Sequence, residues 1–120
     1  MRTQQVADRL VGLCRQGQNL EAIDELYSDH IVSREMPGAN DELLTGKEVV
    51  RQKTEQWLEN VRELHSGSIS DPVVAGNHFT CKMDYDVTFK DGNRHQIEEI
   101  CLYETRDGKI VNEQFFYAMA

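Results

Sequence analysis

Proline is scarce in this 120-residue chain, which carries only Pro37 and Pro72. No Pro-rich linker divides it, no internal repeat or low-complexity tract is visible, and one domain spanning 1–120 is expected. Long apolar runs are missing too. Nothing approaches the ~18 consecutive apolar residues of a membrane span. Residues 1–5 lead into an amphipathic stretch rather than the apolar core of a signal peptide, so a cytoplasmic protein is expected. Cationic excess is absent: Lys and Arg total 13 against 21 Asp and Glu, a net charge of −8. Such a surface repels phosphates and anionic lipid, so neither nucleic acid nor membrane is an expected partner. The three cysteines, Cys14, Cys81 and Cys101, are odd in number and far apart. They read as buried reduced thiols. The four histidines show no short ligand spacing, and no phosphate loop, dinucleotide fingerprint or nucleophile turn occurs. No metal and no cofactor is therefore expected.

What is present is a helical first third and a strand-rich second half. Val6, Leu10, Leu13 and Cys14 recur at helical spacing, Gly17 fits a helix stop, and Asn19 fits the N-cap of a second helix. That second helix carries Leu20, Ile23, Leu26 and Tyr27 on its inner face. Residues 30–36 predict a short strand ended by Pro37-Gly38, followed by a polar loop over 39–44. Thr45-Gly46-Lys47-Glu48 reads as a capping box opening a third helix over 46–61. Its buried stripe would be Val50, Trp57, Val61 and Leu64. From residue 79 to 89 apolar and polar side chains alternate, which places Met83, Tyr85 and Val87 on the buried face. Asp91-Gly92 and Asp107-Gly108 are hairpin signals, so the second half predicts an antiparallel meander. Helices segregate from strands, and the class is α+β. A curved antiparallel sheet wrapped around three N-terminal helices leaves a pocket at its open end.

Tyr27-Ser28-Asp29-His30, Pro37-Gly38, Thr45-Gly46-Lys47 and the run from Asp107 to Tyr117 together resemble the SnoaL-like and ketosteroid-isomerase-like proteins of the nuclear-transport-factor-2-like superfamily. The resemblance covers nearly the whole chain. It implies the cone-shaped fold, a homodimer formed through the outer sheet face, and a pocket for a small hydrophobic molecule. It also implies a class of chemistry: a carboxylate at the end of the first strand takes a proton from the carbon beside a carbonyl, and two donors hold the enolate oxygen. Glu35 falls at the base position. The first helix has Leu10 and Val11 where those isomerases carry a tyrosine. The second donor, an acid on the penultimate strand, falls at Glu98 or Glu99, which point to opposite faces. Two-residue turns favour Glu98 inward, the family's strand pattern favours Glu99, and one bulge reverses the parity.

Glu113 alternates with Phe115 and Tyr117 and shares their face. The catalytic candidates are therefore Glu35, Glu113, Glu99 and Glu98. Tyr85 and Tyr117 are candidate phenol donors to a ligand oxygen. Met83, Phe115 and Trp57 read as pocket wall or core. His65, in a stretch of weak pattern, reads first as a surface or core histidine and is the last of the ligand-binding candidates. Two functions stand side by side: a cofactor-free isomerase or cyclase, and a non-catalytic ligand-binding or dimerisation module.

Overall fold

A computed structural model describes residues 1–119. Helices α1 (Thr3–Arg15) and α2 (Asn19–Leu26) lead into strand β1 (Tyr27–Arg34). Strand β2 (Leu43–Thr45) and helix α3 (Lys47–Asn60) follow. The rest is sheet: β3 (Val61–Ile69), β4 (Val73–Ala75), β5 (His78–Phe89), β6 (Arg94–Arg106) and β7 (Lys109–Phe116). The strands form one curved, unclosed sheet in the order β2-β1-β7-β6-β5-β3, with β4 beside β5. The α+β class is as expected. The sheet is mixed rather than wholly antiparallel, because β1 pairs β7 in parallel.

The helices cover one face of this sheet. Val6, Ala7, Leu10, Val11 and Leu13 put the apolar stripe of α1 into the core with Ile23 and Leu26 of α2. From the sheet, Ile31, Phe79, Met83, Cys101 and Ile110 meet them. No helix among the described residues is long and apolar enough to cross a membrane.

Several local expectations are corrected. Residues 43–45 are not loop: they pair with β1, Thr45 opposite Val32. Thr45 is thereby held in a strand, so the capping box does not form and Gly46, at φ 100°, is the N-cap of α3. Asn19 is the first residue of α2, whose N-cap is Gln18. The strand expected over 30–36 begins at Tyr27, directly where α2 stops, and ends at Arg34. Leu64 is not in the α3 stripe but on edge strand β3, exposed to solvent. Trp57 sits on α3 as expected but is 37% exposed rather than buried.

Two short-range features set which side chains face the helices. Phe89 N–H donates to Asn93 O and Gly92 N–H to Phe89 O, both at 2.9 Å. The β5–β6 loop is thus the three-residue Lys90-Asp91-Gly92, with Gly92 at φ 89°. This is a type I turn closed by a left-handed residue, not the two-residue turn expected there. An odd loop slips the register by one residue, pairing Met83 with Glu99 and Cys81 with Cys101. The second hairpin is the two-residue kind, with Asp107 and Gly108 at φ 51° and 78°. Beyond it, Thr105 pairs Ile110 but Glu104 pairs Asn112, so Val111 is an extra residue in β7. This bulge turns Glu113 and Phe115 to the same face as Tyr103 and Cys101.

The β5–β6 loop makes a testable demand. No atom lies within 4 Å of where a Gly92 Cβ would stand, so only backbone conformation resists substitution. Gly92→Ala is expected to cost about 1 kcal/mol in urea unfolding, and Gly92→Asn distinctly less, because Asn tolerates the left-handed region. Equal losses for the two variants would contradict this reading of the loop.

Candidate ligand site

Between the helices and the concave sheet face lies a cavity of about 620 Å³. Its apolar wall includes Leu10, Ile23, Val50, Met83, Ile97 and Phe115. Trp57 stands at its rim, 5.8 Å from the Tyr85 ring and 6.2 Å from the Phe89 ring. Asp41 and three glutamates, Glu35, Glu99 and Glu113, line the same cavity. The register just described is what brings the last two there.

Glu113 is 3% exposed. One of its carboxyl oxygens accepts from the Tyr27 hydroxyl, and the other accepts from Ser33 Oγ at 2.7 Å. Burial pushes its pKa above the usual carboxylate range, opposed by those two donors. Burial and the facing Glu113 charge push the Tyr27 phenol well up. Glu99 is also displaced upward. Burial first, and then the Glu35 charge, raises its carboxyl to about 7, against the Cys101 thiol, which donates to it at 3.7 Å, and Lys53.

Glu35 lies one residue beyond β1, with a side chain 13% exposed. Its Oε1 meets the Lys53 ammonium, and its Oε2 accepts from the Tyr117 hydroxyl at 2.8 Å. Glu35 is thus held between a cation and a phenol. Burial and Glu35 push the Tyr117 phenol up to about 12.

The remaining sequence candidates divide cleanly. Tyr85, Met83, Trp57 and Phe115 line the cavity. The Tyr85 hydroxyl donates to Met83 Sδ at 3.2 Å, and burial raises its pKa. Glu98 points away: its side chain is 75% exposed, with Lys82 Nζ 3.5 Å distant on the outer face. The odd loop is the physical reason, since it exchanges the faces of Glu98 and Glu99. His65 does not line the cavity, and its Nε2 is 2.7 Å from Thr88 Oγ1. Cys81 and Cys101 are buried free thiols, while Cys14 is half-buried at the cavity wall. Burial lifts the Cys14 thiol to about 12.

Sequence reasoning missed Lys53, Tyr27 and Tyr103 as cavity residues. A signal for Lys53 existed. Val50, Lys53, Thr54 and Trp57 stand at i, i+3, i+4 and i+7 of α3, so the spacing that turns Val50 inward turns Lys53 inward too.

The sequence profile of the SnoaL-like domain matches residues 1–117. Among solved structures, a Mesorhizobium loti protein provisionally named a SnoaL-like polyketide cyclase (carbohydrate phosphatase) is 36% identical. That match covers 98% of this chain and all of the other, with a TM-score of 0.91. A Xanthomonas campestris protein of unknown function with a cystatin-like fold is 18% identical over 99% of this chain and 92% of its own, with a TM-score of 0.82. A Bacillus subtilis protein provisionally named an isomerase is 16% identical over 98% and 90%, with a TM-score of 0.74. The last two share the fold. No curated protein matches.

The carboxyl environments carry a stability consequence. Glu99 has a folded pKa above its unfolded value, so the folded chain holds a proton that the unfolded chain has released. Its contribution is fully present below about pH 4.5 and is lost as pH rises through about 7. Glu113 acts in the same direction. Thermal unfolding from pH 5 to 8 should show a stability loss on the order of 2 to 3 kcal/mol from Glu99, and Glu99→Gln should flatten that part of the curve. A wild-type curve that rises over this range, or one that Glu99→Gln leaves unaltered, would contradict the assigned environment.

Proposed function

The chain belongs to the SnoaL-like domain family, and from that footing we propose a cofactor-free isomerase or cyclase that moves a proton beside a carbonyl in a small hydrophobic compound. The observation that carries this reading is the convergence of Glu35 and Glu99 on one apolar cavity in unlike surroundings. Paired carboxyls whose environments differ are suited to opposite roles, one as base and one as acid. Glu35, beside an ammonium and a phenol hydroxyl, is the base. Glu99, raised to about 7, keeps its proton up to neutrality and offers it to the substrate oxygen or to a second carbon. The apolar wall holds the hydrocarbon body and keeps water from the enolate.

A second reading, a non-catalytic binding module, draws support from one feature. Both Glu35 oxygens are already partnered by protein groups, and Leu10 supplies no donor from α1.

Exchange of α-hydrogens for deuterium distinguishes the two. Incubated in heavy water with a panel of small cyclic ketones and followed by NMR, the wild-type protein is expected to exchange α-positions faster than buffer. Glu35→Gln is expected to lower that rate ~100-fold. The rate should also fall as pH rises above about 7, where Glu99 loses its proton. Binding of the ketones, read by quenching of the single Trp57, without exchange would establish the binding module instead.

A further inference from the structure

We propose that Lys53 is a catalytic residue of this cavity: once Glu35 has taken the α-proton, the Lys53 ammonium holds the enolate oxygen of a neutral hydrophobic ketone or aldehyde. This rests on the proton-transfer reading above and adds to it both a residue and a substrate charge.

Lys53 projects from the cavity-facing stripe of α3 and is the only Lys, Arg or His among the residues lining the cavity. Its Nζ contacts Glu35 Oε1 and stands 5.6 Å from the centre of the Phe115 ring. An ammonium has three donors, so the contact with Glu35 leaves others for a ligand oxygen. Three tyrosine hydroxyls are committed elsewhere: Tyr27 to Glu113, Tyr117 to Glu35, Tyr85 to the sulfur of Met83. The α1 wall offers Leu10 and the weakly donating Cys14 thiol. Lys53 is therefore the charged donor beside the base, in direct contact with Glu35, and protonated Glu99 is a neutral donor elsewhere in the cavity.

The charges follow the chemistry. The α C–H bond breaks and its proton goes to a Glu35 oxygen. The bonding pair becomes the C=C bond of the enolate, and the carbonyl π pair moves onto oxygen. Glu35 is then neutral, the new negative charge is on the substrate, and the ammonium changes partner with no change in total charge. A fixed cation aimed at a developing anion in a water-poor site stabilises it far more than the same cation in bulk water. A carboxylate and an ammonium in contact also fit an H–C–C=O unit, in which the proton and the oxygen lie close together. Return of the proton, at the same or another carbon, restores the ion pair. The substrate is neutral on this account, because an anionic one would add its charge to that of Glu35 against the single cation.

Two readouts test this. In α-hydrogen exchange, Lys53→Gln should lose ~100-fold, comparable to removing an oxyanion donor, while Lys53→Arg should retain part of the rate. The second readout uses 4-nitrophenol, an enolate mimic whose ionisation is visible by absorbance. Glu35→Gln reproduces the uncharged state of the base. Its bound nitrophenol should ionise at lower pH than the free phenol, and adding Lys53→Gln should abolish that shift. A purely structural ion pair would not produce the shift. Circular dichroism checks the fold of each variant. Full exchange by Lys53→Gln, equal ionisation with and without Lys53, or failure of the phenol to bind Glu35→Gln would each overturn the role of Lys53. Exchange by the wild type alongside any of these would leave the proton-transfer reading standing. No exchange by the wild type would remove both.

Discussion

The register between β5 and β6 is the constraint on which the site depends. Three residues, Lys90-Asp91-Gly92, separate the last bonded pair of these strands. Because side chains alternate with a period of two, an odd loop and an even loop present opposite faces of β6 to the helices. The odd loop turns Glu99, Cys101 and Tyr103 inward and leaves Glu98 and Ile100 on the outside. The bulge at Val111 does the same service for β7, bringing Glu113 and Phe115 inward. Without it Tyr103 would face Asn112, and Glu113 would lie on the outer face. Two backbone irregularities thus place two carboxyls in a cavity that a regular meander would have lined differently.

Such placement carries an energetic cost that the surroundings offset unequally. An ionised carboxylate removed from water costs several kcal/mol unless it is paired or hydrogen-bonded. Glu113 meets the cost with two hydroxyl donors, Tyr27 and Ser33, one on each oxygen. Glu35 meets it with an ammonium and a phenol. Glu99 has only the weak thiol donor of Cys101 close by, and it responds by holding its proton to about pH 7. Three chemically identical side chains in one cavity therefore differ through their neighbours. That inequality is what makes acid and base roles separable. A polar cluster kept inside an otherwise apolar shell is also where local folding preferences are expected to yield to function.

The elements whose signals are local were legible in the sequence. Helical spacing located α1, α2 and the inward Val50 of α3. The strict alternation of β5 located Met83 and Val87 in the core, with Tyr85 at the cavity wall. The resemblance placed Glu35 beside the cavity. Features decided by long-range pairing were not legible. Thr45 carries a capping pattern, yet it pairs with Val32 and the cap is lost. The Asp-Gly signals at 91–92 and 107–108 look alike in sequence, but one closes a three-residue loop and the other a two-residue turn. That difference alone separates Glu98 from Glu99. Lys53 was overlooked for a different reason: a lysine on a helix is ordinarily assigned to solvent, and only its spacing from Val50 and Trp57 argued otherwise.

The central claim is that two backbone irregularities, the odd β5–β6 loop and the Val111 bulge, bring Glu99 and Glu113 into one cavity, and carboxyl-resolved NMR titration tests it most directly. With glutamate side chains labelled at Cδ and assigned by single Glu→Gln substitutions, the Glu99 signal is predicted to titrate near pH 7. Glu113 should titrate above the ordinary glutamate range. Titration of Glu99 within the ordinary glutamate range would contradict the register and the site built on it.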